Sequence, residues 1–213
     1  NTLATYQYLD SLGIDPKVVT NDGETPLQNI AFKVKDLNII NYFIEKGASV
    51  DQINSKGNNA LINASYYNDS AVISLLLKHT SDINHRNKEG KTALTNAISR
   101  NSINNVKLLV ENGSNTDVTD NDGNSLLYYA IKYSQETKMD DFNNKVDFLI
   151  QNGIKANSKN NKDETLYYTA VEKGNIEIIN KIANYNIDIN ATNKDGMTVL
   201  HIAAMKSKDS EIM

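Results

Sequence analysis

Apolar residues fall along this chain in short paired stripes. A large residue followed three places later by a second apolar residue marks one face of a short helix. The pairs are Leu27 and Ile30, Leu61 and Ala64, Leu94 and Ala97, Leu127 and Ala130, Tyr167 and Ala170, and Leu200 and Ala203. In all but the first the second member is alanine, which lets a neighbouring helix approach closely. A longer stripe follows each of the first five: Ile39, Ile40, Phe43 and Ile44; Val72, Ile73, Leu76 and Leu77; Val106, Leu109 and Val110; Val146, Leu149 and Ile150; Ile178, Ile179 and Ile182. Thr5, Tyr6 and Leu9 read as the tail of another such second helix. Helices this short are marginal alone in water, so the pairs are predicted to stack on one another.

The polar positions keep the same register. Anchors at Gly23, Gly57, Gly90, Gly123, Asp163 and Gly196 stand 34, 33, 33, 40 and 33 residues apart. Two places after each comes Thr25, Asn59, Thr92, Ser125, Thr165 or Thr198, side chains that accept an orphan backbone N–H at a helix start. Pro26 occupies the first helical position, where its missing N–H costs nothing. Three places before each anchor stand Thr20, Asn54, Asn87, Asp120, Asn160 and Asn193, all suited to a tight turn. Ten places before it come Gly13, Gly47, Thr80, Gly113, Gly153 and Asn186, and all but Thr80 suit a left-handed helix stop. The longer fourth interval places about seven extra residues near Ser134 to Asp141, between the two helices of that unit or lengthening one of them.

Each unit thus reads as turn, short helix, loop, longer helix and stop. Asp22-Gly23-Glu24-Thr25-Pro26-Leu27, Gly90-Lys91-Thr92-Ala93-Leu94 and Asp195-Gly196-Met197-Thr198-Val199-Leu200-His201-Ile202-Ala203 resemble the ankyrin-repeat signature, as does Gly47-Ala48-Ser49-Val50-Asp51. The resemblance implies an all-α fold, an ankyrin-repeat α-solenoid of helix-turn-helix repeats of about 33 residues joined by β-hairpin-like loops. On that reading residues 1–213 form a single array. Five full repeats are anchored near 23, 57, 90, 123 and 163, with partial repeats at 1–18 and 187–213, as in a fragment of a longer protein. Asp163 in place of glycine speaks against a left-handed turn there. His201 holds the signature histidine position, for which the resemblance implies a structural hydrogen bond near the turn.

Composition narrows the function classes. The net charge of −4 lacks the basic footprint that a phosphate backbone demands. No apolar run approaches the ~20 residues that span a bilayer. The absence of cysteine removes disulfides, thiolate metal sites and a cysteine nucleophile. The three histidines lack metal-ligand spacing on one helix face; His79 is placed at a helix end and His85 in a hairpin strand. Asp120-Asn121-Asp122-Gly123 is an incomplete calcium loop, with Val118 and Tyr129 where carboxylates are needed, and reads as a polar turn. Asp140 and Asp141 read as solvated charge in the inserted loop. No catalytic, cofactor or metal site is expected. The abundance of Asn, Lys and Ile reads as an AT-rich genome, and with ankyrin-like repeats it fits a bacterial source and a protein acting in the cytoplasm or on a host.

What remains is surface. In ankyrin-like stacks the resemblance implies that the hairpin tips and first helices line a concave, partner-binding face. Seven of the 11 tyrosines fall in first helices, and tyrosine near arginine is the composition of binding hot spots. Tyr167, replacing a core leucine, is expected inside, and Tyr129 between repeats. Phe32, Tyr66, Tyr67, Arg100, Tyr128, Tyr133 and Tyr168 are the expected contact residues. The expected activity is that of a monomeric protein–protein interaction scaffold with a protein partner, no nucleic acid and no membrane. The alternative is a targeting module of a larger enzyme or effector.

Overall fold

The computed structural model describes residues 2–210, the last four by backbone alone. Among the described residues there are 12 α-helices and one 3-10 turn. The chain divides into two compact units, Asn1–Asn115 and Thr116–Met213. Unit 1 holds α1 (Leu3–Ser11), α2 (Pro26–Lys33), α3 (Leu37–Glu45), α4 (Ala60–Tyr67), α5 (Ser70–Leu77), α6 (Ala93–Arg100) and α7 (Ile103–Glu111). Unit 2 holds α8 (Leu126–Lys132), the 3-10 turn Glu136–Lys138, α9 (Met139–Gln151), α10 (Leu166–Lys173), α11 (Ile176–Ala183) and α12 (Val199–Ser210). The only β pairing among the described residues is an isolated bridge between Thr119 and Ser125, so His85 does not lie in a strand.

In unit 1 the first helices α2, α4 and α6 pack in a row, each against its own second helix, α3, α5 or α7, and α1 extends the second row. Leu27, Leu61 and Leu94 are fully buried, each contributing about 1.5–3 kcal/mol, and Ala64 and Ala97 are equally enclosed where the rows approach. In unit 2 α8, α10 and α12 form the first row, with α9 and α11 packed on α8 and α10. Tyr167 is buried in place of the repeat leucine. Leu200 departs from the pattern: it is 75 % exposed.

Local chemistry explains the helix starts. The Thr25 hydroxyl accepts the Gln28 N–H at 3.1 Å while Gln28 Oε1 accepts the Thr25 N–H at 2.7 Å, a reciprocal cap ahead of Pro26. Asn59 Oδ1 accepts the Ile62 N–H, and Thr92 and Thr95 repeat the reciprocal arrangement. Ser125 and Thr165 make no side-chain cap, and the buried Thr165 hydroxyl has no hydrogen-bond partner. At α12 the His201 imidazole Nδ1 accepts the Thr198 N–H at 3.2 Å, the structural role that its position implied.

The turns are built on the Asn or Asp three places before every anchor but Gly23, where the Thr20 hydroxyl accepts the Glu24 N–H at 3.1 Å. Asn54 Oδ1 accepts the N–H groups of Lys56 and Asn58, both at 3.0 Å, and Asn87, Asp120, Asn160 and Asn193 repeat the pattern. Successive tips are tied by backbone bonds: Ser55 N–H to Asp22 O, Lys88 N–H to Lys56 O, Asn161 N–H to Asp122 O and Lys194 N–H to Lys162 O. That closeness demands glycine at position 57, where φ is +76° and an added Cβ would lie 2.9 Å from Lys88 N. Asp163 nonetheless adopts the left-handed turn, with φ at 61°, so the missing glycine has not changed the geometry. Thr80 ends its helix differently from the glycines, donating its hydroxyl to Leu76 O at 2.9 Å.

The extra residues after α8 form the 3-10 turn and then the first turn of α9, at 13 residues the longest helix among the described residues. Asp140 and Asp141 therefore lie in a helix, not a loop, and Asp141 is not simply solvated. It pairs at 2.8 Å with Lys145, a lysine only 6 % exposed.

Candidate functional site

Four of the expected contact residues converge in unit 1. Phe32, Tyr66 and Arg100 occupy the last turns of three successive first helices, and Tyr67 follows Tyr66. The Phe32 and Tyr66 rings stack at 6.0 Å. Tyr67 stands edge-on to both, at 5.4 Å from Phe32 and 4.5 Å from Tyr66. The Arg100 guanidinium lies over the Tyr66 ring at 5.8 Å and the Lys33 ammonium over Phe32 at 5.6 Å. Tyr67 is 53 % exposed, while Phe32 and Tyr66 are half-buried. The three rings thus brace one another, and mutual contact lowers the entropy that a docking partner would have to remove.

A groove of about 360 Å³ runs from this cluster toward the hairpin tips, lined by Phe32, Asn29 and Asn63 on the helices and by Asp22, Glu24 and Lys56 at the tips. Asn63 Nδ2 donates to Gln28 O at 3.2 Å, and Asn96 at the equivalent place on α6 donates to Ile62 O at 2.9 Å. These bonds tie each first helix to the one before it, so the groove floor is rigid. The amides were not foreseen as part of a site. The signal was present, since Asn29, Asn63 and Asn96 each stand six places after their anchors.

In unit 2, Tyr128 and Tyr133 are half-buried at either end of α8. Lys132 lies between them, its ammonium 5.1 Å from the Tyr128 ring centre and 5.9 Å from that of Tyr133, and donates to the Tyr128 hydroxyl at 2.8 Å. That bond is the leading cause of a Lys132 pKa raised above the usual lysine range. Tyr129 is buried, stacks on Tyr133 at 6.1 Å and donates its hydroxyl to Asp120 Oδ2 at 2.6 Å, a bond inside its own repeat.

Tyr168 does not reach the surface expected of it. It is 2 % exposed, and its hydroxyl donates to the carbonyls of Ala191, at 2.9 Å, and Met197. Tyr168, five places after Asp163, points at the next turn instead. Gln28, Ile62 and Thr95, five places after their own anchors, are buried as well.

The chemistry of the arrangement is that of contact. Among the described residues no group of three or more His, Cys, Asp or Glu is placed to hold a metal ion. His85 spends Nε2 on Gly57 O at 2.8 Å. No helix among the described residues is long and apolar enough to cross a membrane.

A family model described as ankyrin repeats matches the chain in three overlapping copies, over residues 1–87, 75–159 and 138–213. No curated protein matches it.

Proposed function

The chain belongs to the ankyrin-repeat family, whose repeats generally serve as non-catalytic protein–protein interaction modules, and from that premise we propose that it captures a protein partner on the face formed by its hairpin tips and first helices. One observation carries this reading: Phe32, Tyr66, Tyr67 and Arg100, contributed by three consecutive repeats of unit 1, form a single partly exposed aromatic and cationic cluster. Partly exposed tyrosines packed edge-on, with arginine over a ring face, combine large contact area with little rotamer freedom, the composition of interface hot spots. The concave face is the surface that such a partner would occupy. Tyr128 and Tyr133, with Lys132 between them, offer a second contact group within unit 2.

The test is affinity capture from the native cell, read by quantitative mass spectrometry, with wild type beside Tyr66→Ala/Tyr67→Ala. Both side chains project from the last turn of α4, so thermal unfolding of the variant should stay close to wild type. Partners recovered by wild type and lost with the double variant support the reading. Equal recovery by both proteins places the binding surface elsewhere.

A further inference from the structure

The three first helices of unit 1 carry no carboxylate. The only charged side chains in α2, α4 and α6 are Lys33 and Arg100, both at the ends that bear the rings. The helix carboxylates of this unit lie in the second row or at its caps, as Asp10, Asp36, Glu45, Asp69 and Glu111. The first row therefore carries cations without carboxylates, while the second row and its caps carry both signs, with Lys46, Lys78 and Lys107 among its carboxylates.

We propose that the partner segment seated on this face is acidic: an apolar side chain resting against Phe32 and Tyr67, flanked by carboxylates that meet Lys33 and Arg100. This rests on the reading of the face as a protein-binding surface and adds the chemistry of the occupant. Both cations lie over ring faces, at 5.6 and 5.8 Å, and are held where a carboxylate beside a buried apolar anchor would reach them. No described carboxylate forms an ion pair with Lys33. Neither cation needs to leave its ring to be met. A basic segment would instead place like charges against a face with no helix carboxylate to receive them. The rings also exclude a cage for a cation, because they fill their own centre at separations of 4.5 to 6.0 Å. Asp22, Glu24 and Lys56 line the groove at the hairpin tips, so the segment's carboxylates belong at the ring-bearing ends with Lys33 and Arg100.

The experiment titrates the isotope-labelled chain with three synthetic peptides that share a Leu-Phe core. They are flanked on both sides by two glutamates, two serines or two lysines. Ring resonances of Phe32, Tyr66 and Tyr67 report binding. The glutamate peptide is expected to bind roughly fivefold more tightly than the serine peptide, as two exposed charge contacts allow, and the lysine peptide most weakly. Raising the salt should compress the differences. Lys33→Gln/Arg100→Gln should level the series and Lys33→Glu/Arg100→Glu should invert it, with circular dichroism confirming the fold of each. If the rings respond alike to all three peptides, or most to lysine, the acidic preference is overturned while the face remains a binding surface. If the rings respond to none, both the preference and the binding face are wrong.

Discussion

Gln28 and Tyr168 perform one task with different chemistry. Gln28 Nε2 donates to Gln52 O at 2.6 Å and to Asn58 O at 2.9 Å, and the Tyr168 hydroxyl donates to Ala191 O and Met197 O. Relative to the following anchors, Gly57 and Gly196, these are the same two carbonyls, five places before and one after. Each side chain pins the next turn onto its own first helix. Tyr168→Phe keeps the ring and removes the one O–H that the two carbonyls share; Met197 O keeps the Asn193 N–H, while Ala191 O loses this donor. The expected loss is about 1–3 kcal/mol in urea unfolding. Partner capture by unit 1 should not change, because Tyr168 is buried in unit 2.

Asp120 should make unit 2 acid-sensitive. Burial alone would raise its carboxyl, but hydrogen bonds from the Tyr129 hydroxyl, the Asn124 side chain and the backbone N–H groups of Asn124 and Asp122 outweigh burial and hold it below the ordinary range. Burial first, and the Asp120 bond second, push the Tyr129 phenol far above its usual value. Lys181, bonded to Asp147 at 2.6 Å, likewise depresses the Asp147 carboxyl. A depressed carboxylate stabilises the fold in full above its unfolded pKa of about 3.9, and the contribution disappears as pH falls through the lower folded value. Asp120→Asn keeps the turn bonds, as the other repeats do with Asn, and removes the charge facing Tyr129. It should lower stability at pH 7 by about 1–3 kcal/mol and flatten the fall in melting temperature between pH 4 and pH 2. An unchanged acid limb would show that Asp120 is not its source.

Two threonines at equivalent positions should respond oppositely to valine. Thr25 accepts a helix N–H, so Thr25→Val should cost about 1 kcal/mol or somewhat more. Thr165 is buried with an unpartnered hydroxyl, so Thr165→Val removes a desolvated polar group at constant shape. It should be neutral or stabilising by up to about 1 kcal/mol. Unfolding midpoints of the two single variants in the same buffer make the comparison.

The caps at Thr25, Asn59 and Thr92 were legible because an N-cap is a local device, readable from a spacing of a few residues. The same locality explains the error at Thr165: the spacing is right, but whether the hydroxyl reaches an N–H depends on a rotation that no pattern records. Tyr168 was misread for a longer-range reason. Its partners belong to the following turn, and Gln28, which reveals the role, shares no side-chain chemistry with it. The turn asparagines Asn54, Asn87, Asn160 and Asn193 were legible from their fixed place before each anchor. The omission was Asn63 and Asn96, left within a genome bias, which tie neighbouring helices. The cluster of Phe32, Tyr66, Tyr67 and Arg100 was readable from register alone, since equivalent residues of stacked repeats become neighbours.

Asp163 offers a stabilising substitution. An L residue in the left-handed region is strained, although Asp tolerates it better than most. Asp163→Gly relieves that strain but frees the unfolded chain, so a net gain of about 0.5 kcal/mol is expected. Gly57→Asp makes the reverse change where Lys88 N would sit 2.9 Å from the new Cβ, and should cost about 2 kcal/mol or more. Equal and opposite shifts at the two sites would mean that backbone angle alone matters and the close approach does not.

Asn68 ties neighbouring repeats of unit 1 together through bonds that only a carboxamide can make at once. Its Nδ2 donates to Ala31 O and Val34 O, both at 2.9 Å, where α2 ends, and its Oδ1 accepts the Asp69 N–H at 3.0 Å ahead of α5. Its own carbonyl accepts Asn101 Nδ2 at 2.8 Å and Asn105 Nδ2 at 3.0 Å. In a repeat stack, stability is divided between each unit and its junctions, and Asn68 belongs to the junction between α2 and α4. Asn68→Ala should therefore cost about 2–4 kcal/mol, from two orphaned carbonyls and a small cavity. The loss should fall unevenly. Amide hydrogen exchange should accelerate most in α2 and α3, which then open without the rest, and least in α6 and α7, whose side of the junction binds the Asn68 backbone that alanine retains. Uniform acceleration across unit 1 would instead mean that the unit opens as one block and that this tie carries no separate boundary.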